Sequence, residues 1–256
     1  MIATDIDPIR IEEAGLNALQ TQRQLFFDGW LLRISPGKAK RARSVSAHFG
    51  SSLPLPAKID HCESVYAAQG LPTLFRMTPF QKPADLEDAL ARRGYVAFDR
   101  TLVQALPLRR PPDFGPPPPD VELDAPPIAA FVDAVGELRA SPAEQRAAHL
   151  ERLAATPLVT HAVIARVAGR PAACGQAALD HGLAGIFDMV TDPELQRRGL
   201  ATAIVTELLT WAWDHGASHA YLQVNDDNAP ALAVYRKFGF ATVYGYHYRA
   251  RPHECR

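Results

Sequence analysis

The sequence has few cysteines and no apolar run of membrane-spanning length, and each absence excludes a class of protein. Its 256 residues include three cysteines, an odd number without the spacing of a metal or redox motif: Cys62, Cys174 and Cys255. We therefore expect neither a disulfide framework nor a bound metal. The first ten residues also lack the basic and then apolar plan of a secretory signal. Together these observations predict a cytoplasmic protein that is not inserted in a membrane.

Neither sign of charge is in excess. Lys and Arg number 27 and Asp and Glu number 28, so the formal net charge is −1. A balanced chain lacks the broad basic surface that attracts nucleic acids and anionic lipids, so we expect neither as a partner. Apolar residues make up 47% of the chain, which is enough to build extensive cores. The chain is long for one average domain and short for two large ones.

Proline, in contrast, is abundant and clustered. Nine of the 22 prolines lie within residues 107–127, beside Arg109 and Arg110. Because proline cannot donate a backbone hydrogen bond and interrupts helices, this stretch predicts an extended, semi-rigid connector. A proline-rich recognition motif is the alternative. As a connector, residues 109–120 divide the chain into an N-terminal part, 1–108, and a C-terminal part, 121–256.

The most informative segment is a glycine-containing turn between a predicted strand and a predicted helix. Apolar and small residues over 184–191 predict the strand, and apolar residues at helical spacing over 200–212 predict the helix. Gly199 stands at the turn, where a glycine lets the backbone approach a ligand closely. The first N–H groups and the dipole of a helix favour an anion, and Arg197 and Arg198 add positive charge. The turn is typical of a pyrophosphate cradle, although such turns serve several nucleotides and coenzymes.

A second strand and a short helix are predicted after this turn. Residues 220–224 predict the strand, the polar run 225–228 is a turn signal, and residues 229–240 predict the helix. Pro230 suits a first helical turn and Gly239 suits a C-terminal cap. A last strand is predicted over 241–250.

Two of these segments resemble the signature of the GCN5-related N-acetyltransferases, the GNAT family. Residues 196–201 read as Gln-x-x-Gly-x-Ala, and residues 228–240 read as Asn-x-x-Ala-x-x-x-Tyr-x-x-x-Gly-Phe. The resemblance covers residues 125–256. It implies an acetyl-CoA-dependent N-acetyltransferase that transfers the acetyl group directly to an amine within a ternary complex.

The resemblance assigns the coenzyme to two groups of residues. The backbones of Met189 and Val190 would hold the acetyl group and the pantetheine arm, and Asn228 would reach that arm from the other side. The pyrophosphate would lie on the turn and the first helical N–H groups, which belong to Gln196, Arg197, Arg198, Gly199, Leu200, Ala201 and Thr202.

Two side chains are candidates for proton transfer. The resemblance places Tyr235 where the family protonates the leaving thiolate; the alternative is that Tyr235 only packs against Phe238 and Phe240. Asp188, a carboxylate in an otherwise apolar strand, is the candidate base or acceptor anchor. Many family members place a glutamate earlier on this strand, where this chain has Gly185. A structural role for Asp188, with deprotonation through a water chain, therefore stays open.

The N-terminal half repeats the helix–glycine–strand order of the C-terminal half. Gly70 and Gly94 correspond to Gly216 and Gly239, at nearly equal separations along the chain. Where the cradle would lie in the first half, residues 51–56 contain two prolines and no glycine, so we expect this half not to hold coenzyme A. We predict an α/β (mixed α+β) fold with two GNAT-like domains, each a twisted mixed sheet flanked by helices, the first domain being degenerate.

The sequence defines the acceptor site least. Trp30, Arg41 and Tyr246 are candidates for lining it, with core packing or a solvated charge as the alternatives. The predicted acceptor is a small-molecule amine, such as an amino acid or a related metabolite. A protein or peptide amine is one alternative, and a non-catalytic acyl-CoA or metabolite sensor is another. We expect a monomer or a weak homodimer, because a fused pair of domains replaces the dimer of single-domain members.

Overall fold

The computed structural model describes residues 6–21, 23–50 and 52–255, so the first five residues and Ser51, which entered the arguments above, lie outside it. Within the described residues the chain forms seven α-helices and eleven β-strands, which confirms the predicted mixed α/β class. None of the described helices is long and apolar enough to cross a bilayer. The elements, in chain order, are α1 (Pro8–Asn17), β1 (Arg23–Phe27), β2 (Trp30–Ile34), β3 (Val45–Ala47), α2 (Leu55–Ala67), β4 (Phe75–Met77), α3 (Leu86–Arg92), β5 (Val96–Pro107), β6 (Val121–Asp124), α4 (Ile128–Leu138), α5 (Ala143–Ala154), β7 (Val159–Val167), β8 (Arg170–Asp180), β9 (Leu183–Thr191), α6 (Leu200–Asp214), β10 (His219–Asn225), α7 (Ala229–Phe238) and β11 (Ala241–Ala250).

The chain divides into two compact units that are not contiguous in sequence. The first unit comprises the described part of Met1–Ala18 together with Val103–Val243, and the second comprises Leu19–Leu102 together with Tyr244–Arg256. These units do not coincide with the predicted parts 1–108 and 121–256, because α1 belongs with the C-terminal half and most of β11 belongs with the N-terminal half. A division into two GNAT-like domains of different function stays a prediction.

The sheet of the first unit has the strand order β5-β10-β9-β8-β7-β6. Strands β6 to β9 are antiparallel neighbours, whereas β9 and β10 run parallel. A parallel pair needs a crossover connection, and α6 provides it here. The glycine turn that the sequence analysis singled out therefore lies at the C-terminal end of β9, where the crossover begins.

Helices cover both faces of this sheet. On one face, Cys174 of β8 is buried with Phe131 of α4 and Leu153 of α5. On the other face lies α6. A Cβ added at the neighbouring Gly175 would come within 2.7 Å of Ile204 of this helix, which shows that the two are in close contact. Successive residues of a strand point to opposite faces, so Cys174 and Gly175 divide α4 and α5 from α6.

The second unit contributes five strands and has its own hydrophobic core. Its strands lie in the order β1-β2-β3-β4-β11, with β1, β2 and β3 antiparallel, β3 and β4 parallel, and β4 and β11 antiparallel. Its core brings together buried side chains of the sheet, of α2 and α3, and of the turn after α3: Trp30, Leu32, Val45, Ala47, Ile59, Cys62, Tyr66, Phe75, Met77, Leu86, Leu90 and Tyr95.

The predicted repeat of helix, glycine and strand is present in the order of elements. The helices α2, α3, α6 and α7 are each followed by a glycine with a positive φ, at Gly70 (+65°), Gly94 (+80°), Gly216 (+78°) and Gly239 (+92°). In each case a strand comes next, namely β4, β5, β10 and β11. A left-handed glycine ends a helix without the steric cost that other residues carry. This accounts for glycine at all four positions.

Candidate functional site

The strands β9 and β10 separate before they end. Their pairing runs from Leu183 with His219 to Ile186 with Leu222, and no pairing between described residues continues beyond that point. Both strands extend further, β9 to Thr191 and β10 to Asn225. Beyond Phe187, the described backbone of β9 therefore forms no ladder bonds with β10, which leaves room on this edge for hydrogen bonds to a ligand.

A β-bulge lies in β9 where the separation begins. Gln176 of β8 pairs with Phe187 and Cys174 pairs with Val190, so two residues of β9 stand opposite one residue of β8. The first of these two residues, Asp188, has a φ of +52°, a left-handed conformation that Asp tolerates better than most residues. Bulges re-aim side chains and are frequent beside active sites.

The glycine turn has the geometry that the sequence predicted. Gly199 is the N-cap of α6 with a φ of +83°, and Arg197 is also left-handed at +63°. The first helical bond runs from the N–H of Ala203 to the carbonyl of Gly199, at 2.9 Å. The preceding N–H groups, on Leu200, Ala201 and Thr202, therefore have no helical acceptor and lie at the positive end of the helix dipole. Gln196 directly follows the short 3-10 helix Pro193–Leu195 that leads into the turn.

The proline-rich segment, residues 108–120, lies against this turn. It contains no helix or strand. Pro118 would be 3.5 Å from a Cβ added at Gly199, and the carboxylate of Asp120 pairs with the guanidinium of Arg198. Further back, the ring of Phe114 packs on Phe238, with 4.1 Å between the centroids. One of the two arginines at the turn thus already has a carboxylate partner.

Tyr235 and Asn228 lie at the two ends of α7. Asn228 is the N-cap, and its side-chain oxygen accepts a bond from the N–H of Ala231 at 3.2 Å. Tyr235 is buried, with its ring 5.9 Å from that of Phe240 in an edge-to-face contact. Burial raises the pKa of Tyr235 to about 12, so its hydroxyl carries a proton at neutral pH. The contact with Phe240 agrees with the packing role that the sequence left open; a role for the hydroxyl as an acid stays a prediction.

The carboxylate of Asp188 accepts from three residues on three other elements. Arg139, the residue after α4, donates from Nη1 to Oδ1 at 3.0 Å. Gln176 of β8 donates from Nε2 to Oδ2 at 2.7 Å, and Nε2 of His149 on α5 lies 3.0 Å from the same oxygen. Burial alone would raise the pKa of Asp188, but the hydrogen bond and charge of His149, with the charges of Arg152 and Arg139, hold that pKa well below its usual range. A carboxylate so stabilised as an anion is a weak base, which weighs against the predicted base role.

His149, Arg139 and Gln176 were missed by the sequence analysis. Nothing in the motif links α4 or α5 to β9, because the three residues meet Asp188 only after the sheet and its two covering helices have assembled. The available signal was indirect: a polar Gln176 within a run of small and apolar residues on β8, and a histidine on an amphipathic helix.

The three predicted acceptor residues all lie in the second unit and have different environments. Trp30 is fully buried in the core, where its indole N–H donates to the carbonyl of Lys82 at 2.9 Å. This packing agrees with the alternative of core packing; a place for Trp30 in an acceptor cleft stays a prediction. Tyr246 is buried under the guanidinium of Arg76, 3.8 Å from its ring centroid. Burial raises the pKa of Tyr248, and the positive charge of Arg41 acts in the opposite direction, so Arg41 lies near that phenol.

No group of three or more histidine, cysteine or carboxylate side chains in the described ranges is arranged to hold a metal. The polar groups brought together here are instead a strand edge with unpaired backbone, a helix N-terminus with arginines, a protonated tyrosine and a carboxylate-centred cluster. Together these groups can hold a phosphate-bearing thioester and exchange protons beside it.

Comparisons with known proteins agree with this chemistry. The family model described as the probable histone acetyltransferase Rv0428c C-terminal matches residues 7–250. A Bacillus subtilis strain 168 protein named Uncharacterized N-acetyltransferase YobR is 26% identical over 254 residues, which cover 96% of this chain and 100% of that protein. Ribosomal protein bS18-alanine N-acetyltransferase of Escherichia coli K12 is 35% identical over 57 residues, covering 22% of this chain and 38% of the relative. The solved structure of a GCN5-related N-acetyltransferase from Kribbella flavida superposes with a TM-score of 0.71 over 95% of each chain, at 19% identity, and shares the fold.

Proposed function

The chain belongs to the Rv0428c C-terminal family of GNAT N-acetyltransferases, and from this premise we propose that it transfers the acetyl group of acetyl-CoA to a small-molecule primary amine. The observation that carries the proposal is the opening between β9 and β10 next to the N-terminus of α6. The open edge belongs to β9, and the helix N-terminus follows β9 in the chain. An extended acyl donor could place its thioester at the strand edge and its pyrophosphate at the helix N-terminus.

The donor side follows from this arrangement. The backbone groups of Met189 and Val190, on the unpaired edge of β9, would bond to the acetyl carbonyl and the pantetheine arm. The N–H groups around the glycine turn would hold the pyrophosphate, with Arg197 and Arg198 supplying charge. Asn228 uses one lone pair of its side-chain oxygen to cap its own helix, so its amide N–H groups are the donors that it can offer to the pantetheine arm.

Acetyl transfer forms a C–N bond and breaks a C–S bond, so the departing sulfur needs a proton. Tyr235 carries one at neutral pH, because burial raises its pKa to about 12. Full proton transfer to a thiolate of ordinary pKa, ~8.5, is uphill by roughly 3.5 pK units, or about 5 kcal/mol. Tyr235 therefore acts best by donating a hydrogen bond that strengthens as the C–S bond breaks and ends in proton transfer to the sulfur.

On the acceptor side, the proposal is an amino acid or a related amine metabolite. The short match to a bS18-alanine N-acetyltransferase supports a second candidate, a protein N-terminal amine. Both acceptors are α-amines, which at pH 7 are neutral in a far larger fraction of molecules than a lysine side chain.

The test is a coenzyme A release assay with acetyl-CoA and a panel of amines. The panel contains amino acids, polyamines, aminoglycosides and peptides with free N-termini, and wild type is compared with Tyr235→Phe. We expect amine-dependent release for one class, and at least a tenfold lower kcat for Tyr235→Phe with unchanged binding of acetyl-CoA. The matched control is Tyr95→Phe, another buried tyrosine, whose hydroxyl bonds to Glu63 at 2.8 Å in the second unit.

The alternatives give different results. A non-catalytic sensor would bind acetyl-CoA and release none with any amine. A protein acetyltransferase would act on the peptides and leave the amino acids unchanged. Failure to bind acetyl-CoA would contradict the assignment of the β9 edge and the glycine turn to the donor.

A further inference from the structure

The cluster around Asp188 contains a histidine that the donor chemistry does not use. His149 lies on α5 with its Nε2 3.0 Å from Oδ2 of Asp188, and its side chain is 13% exposed. The cluster lies beside the β9 bulge, directly before the strand edge proposed for the acetyl group. A proton acceptor in this place would stand next to the reacting carbonyl.

Asp188 itself is badly placed to accept that proton. Its two oxygens already accept from Arg139 and Gln176 and share a hydrogen with His149. Protonating the carboxylate would put a donor where three donors now point, and it would leave the charge of Arg139 without its partner. The cluster therefore keeps Asp188 ionised.

His149 has a lone pair that can accept a proton, whereas the oxygens of Asp188 already accept hydrogen bonds. A neutral imidazole has one N–H and one lone pair, and an N–H that points at a carboxylate leaves the lone pair on the other nitrogen. We assign the N–H to Nε2, because Oδ2 of Asp188 is an acceptor. Among the residues that the structure describes, none is hydrogen-bonded to Nδ1. This is the arrangement of a base held in one tautomer by a buried carboxylate.

We propose that His149, oriented by Asp188, is the general base of the acetyl transfer and that Asp188 is a positioning residue. The inference rests on the proposed function, since it assigns the step that makes the acceptor amine nucleophilic. It differs from the sequence-based prediction, in which Asp188 was the candidate base.

The protons and electrons of the step balance as follows. The lone pair of His149 Nδ1 takes a proton from the acceptor ammonium, directly or through one water, and the neutral amine attacks the acetyl carbonyl. The C–N bond forms, the C–S bond breaks, and the electron pair of that bond leaves with the sulfur. Tyr235 gives its proton to the sulfur and regains one from the nitrogen of the tetrahedral intermediate. The imidazolium of His149 then releases its proton to solvent.

The charged groups that face the carboxylate of Asp188 lie on α5 and at the end of α4. Burial alone would raise the pKa of Asp188, but His149, Arg152 and Arg139 lower it, so the carboxylate stays an anion that holds the N–H of His149. The nearby thiol of Cys174 is neutral, because burial raises its pKa to about 12. One carboxylate is therefore shared among two guanidinium groups and the imidazole.

The test is a set of variants measured with the best amine of the panel. His149→Gln keeps an amide N–H donor for Asp188 but has no titratable base, so the cluster can remain folded. We expect kcat to fall by about 100-fold or more, the acid limb of the kcat/KM–pH profile to disappear, and the affinity for acetyl-CoA to stay unchanged. In His149→Ala, added imidazole should restore activity with saturation, which a purely structural role would not produce.

The control is His181→Gln, which removes another histidine–aspartate pair. Nδ1 of His181 lies 2.7 Å from Asp180, and its side chain is 88% exposed. Asp180 pairs with Leu183, which is five strand residues, about 16 Å along β9, before Asp188. The control variant should keep wild-type kcat and pH profile. An active wild type with an unchanged His149→Gln profile, or with no imidazole rescue, overturns the role of His149 alone. A wild type without amine-dependent release across the panel overturns the proposed function and the role of His149 with it.

Discussion

The substitution Gly199→Ala tests the glycine turn, because its effect on folding stability can be measured separately from its effect on the affinity for acetyl-CoA. Gly199 has a φ of +83°, so Gly199→Ala places an alanine in left-handed backbone, at a cost of roughly 1–2 kcal/mol. The added Cβ has no severe clash, because the nearest atom, on Pro118, is 3.5 Å away. The stability loss should therefore come from the backbone alone, and the melting temperature should fall by about 2–8 °C.

The other end of the same helix supplies the matched control. Gly216 has a φ of +78°, and a Cβ added there meets no atom within 4 Å. Gly216→Ala should lower stability by a similar amount, while the donor site stays intact. On the proposed assignment of the turn to the pyrophosphate, the methyl group of Gly199→Ala would obstruct the approach of the pyrophosphate to the backbone. Losing one N–H bond to a charged group, about 1.5–3 kcal/mol, corresponds to roughly 10- to 150-fold weaker binding of acetyl-CoA.

Isothermal titration calorimetry with acetyl-CoA gives the Kd of both variants and wild type, and thermal melts give their melting temperatures. We expect similar melting temperatures and a Kd that rises only in Gly199→Ala. Equal Kd values for the two variants and wild type would refute the assignment of the turn to the pyrophosphate.

Two further predictions concern charges in the first unit. Asp188→Asn should lower the free energy of unfolding at pH 7 by about 2–3 kcal/mol, since it removes the charge that three donors share. The folded-state pKa of Asp188 is lowered, so this stabilisation is present above the ordinary carboxyl pKa of ~4 and declines as the pH falls below it. Denaturant melts at several pH values check this, and a gap between variant and wild type that widens in acid would contradict it. Asp120→Asn should leave stability almost unchanged, because its pair with Arg198 is exposed, and should tighten acetyl-CoA binding by up to about fivefold by freeing that arginine. Weaker binding by the variant would show that Asp120 orders the turn rather than competing for Arg198.

The sequence predicted those parts of the site that are formed locally. The strand leading into the turn, the glycine at its end and the helix after it are adjacent in the chain, so periodicity and one glycine were enough to predict β9, Gly199 and α6. The same holds for α7, where Pro230 and Gly239 mark the two ends.

Features that depend on tertiary assembly were not predicted. The bulge at Asp188 appears only in the register between β8 and β9, and its partners Arg139 and His149 come from elements far away in sequence. Trp30 was a candidate for the acceptor site with core packing as the alternative, and its indole lies in the core of the second unit. The division into compact units was also unpredictable, because β11 crosses the boundary between them within one strand.

The most direct test of the acetyltransferase assignment is to follow the acetyl group itself. Wild-type protein would be incubated with acetyl-CoA labelled with carbon-13 in the acetyl group and with the amine panel, and the products analysed by mass spectrometry. We expect one labelled N-acetyl amide for each coenzyme A released, with Tyr235→Phe forming at least tenfold less. Coenzyme A release without a labelled amide, or no release with any amine, would contradict the assignment.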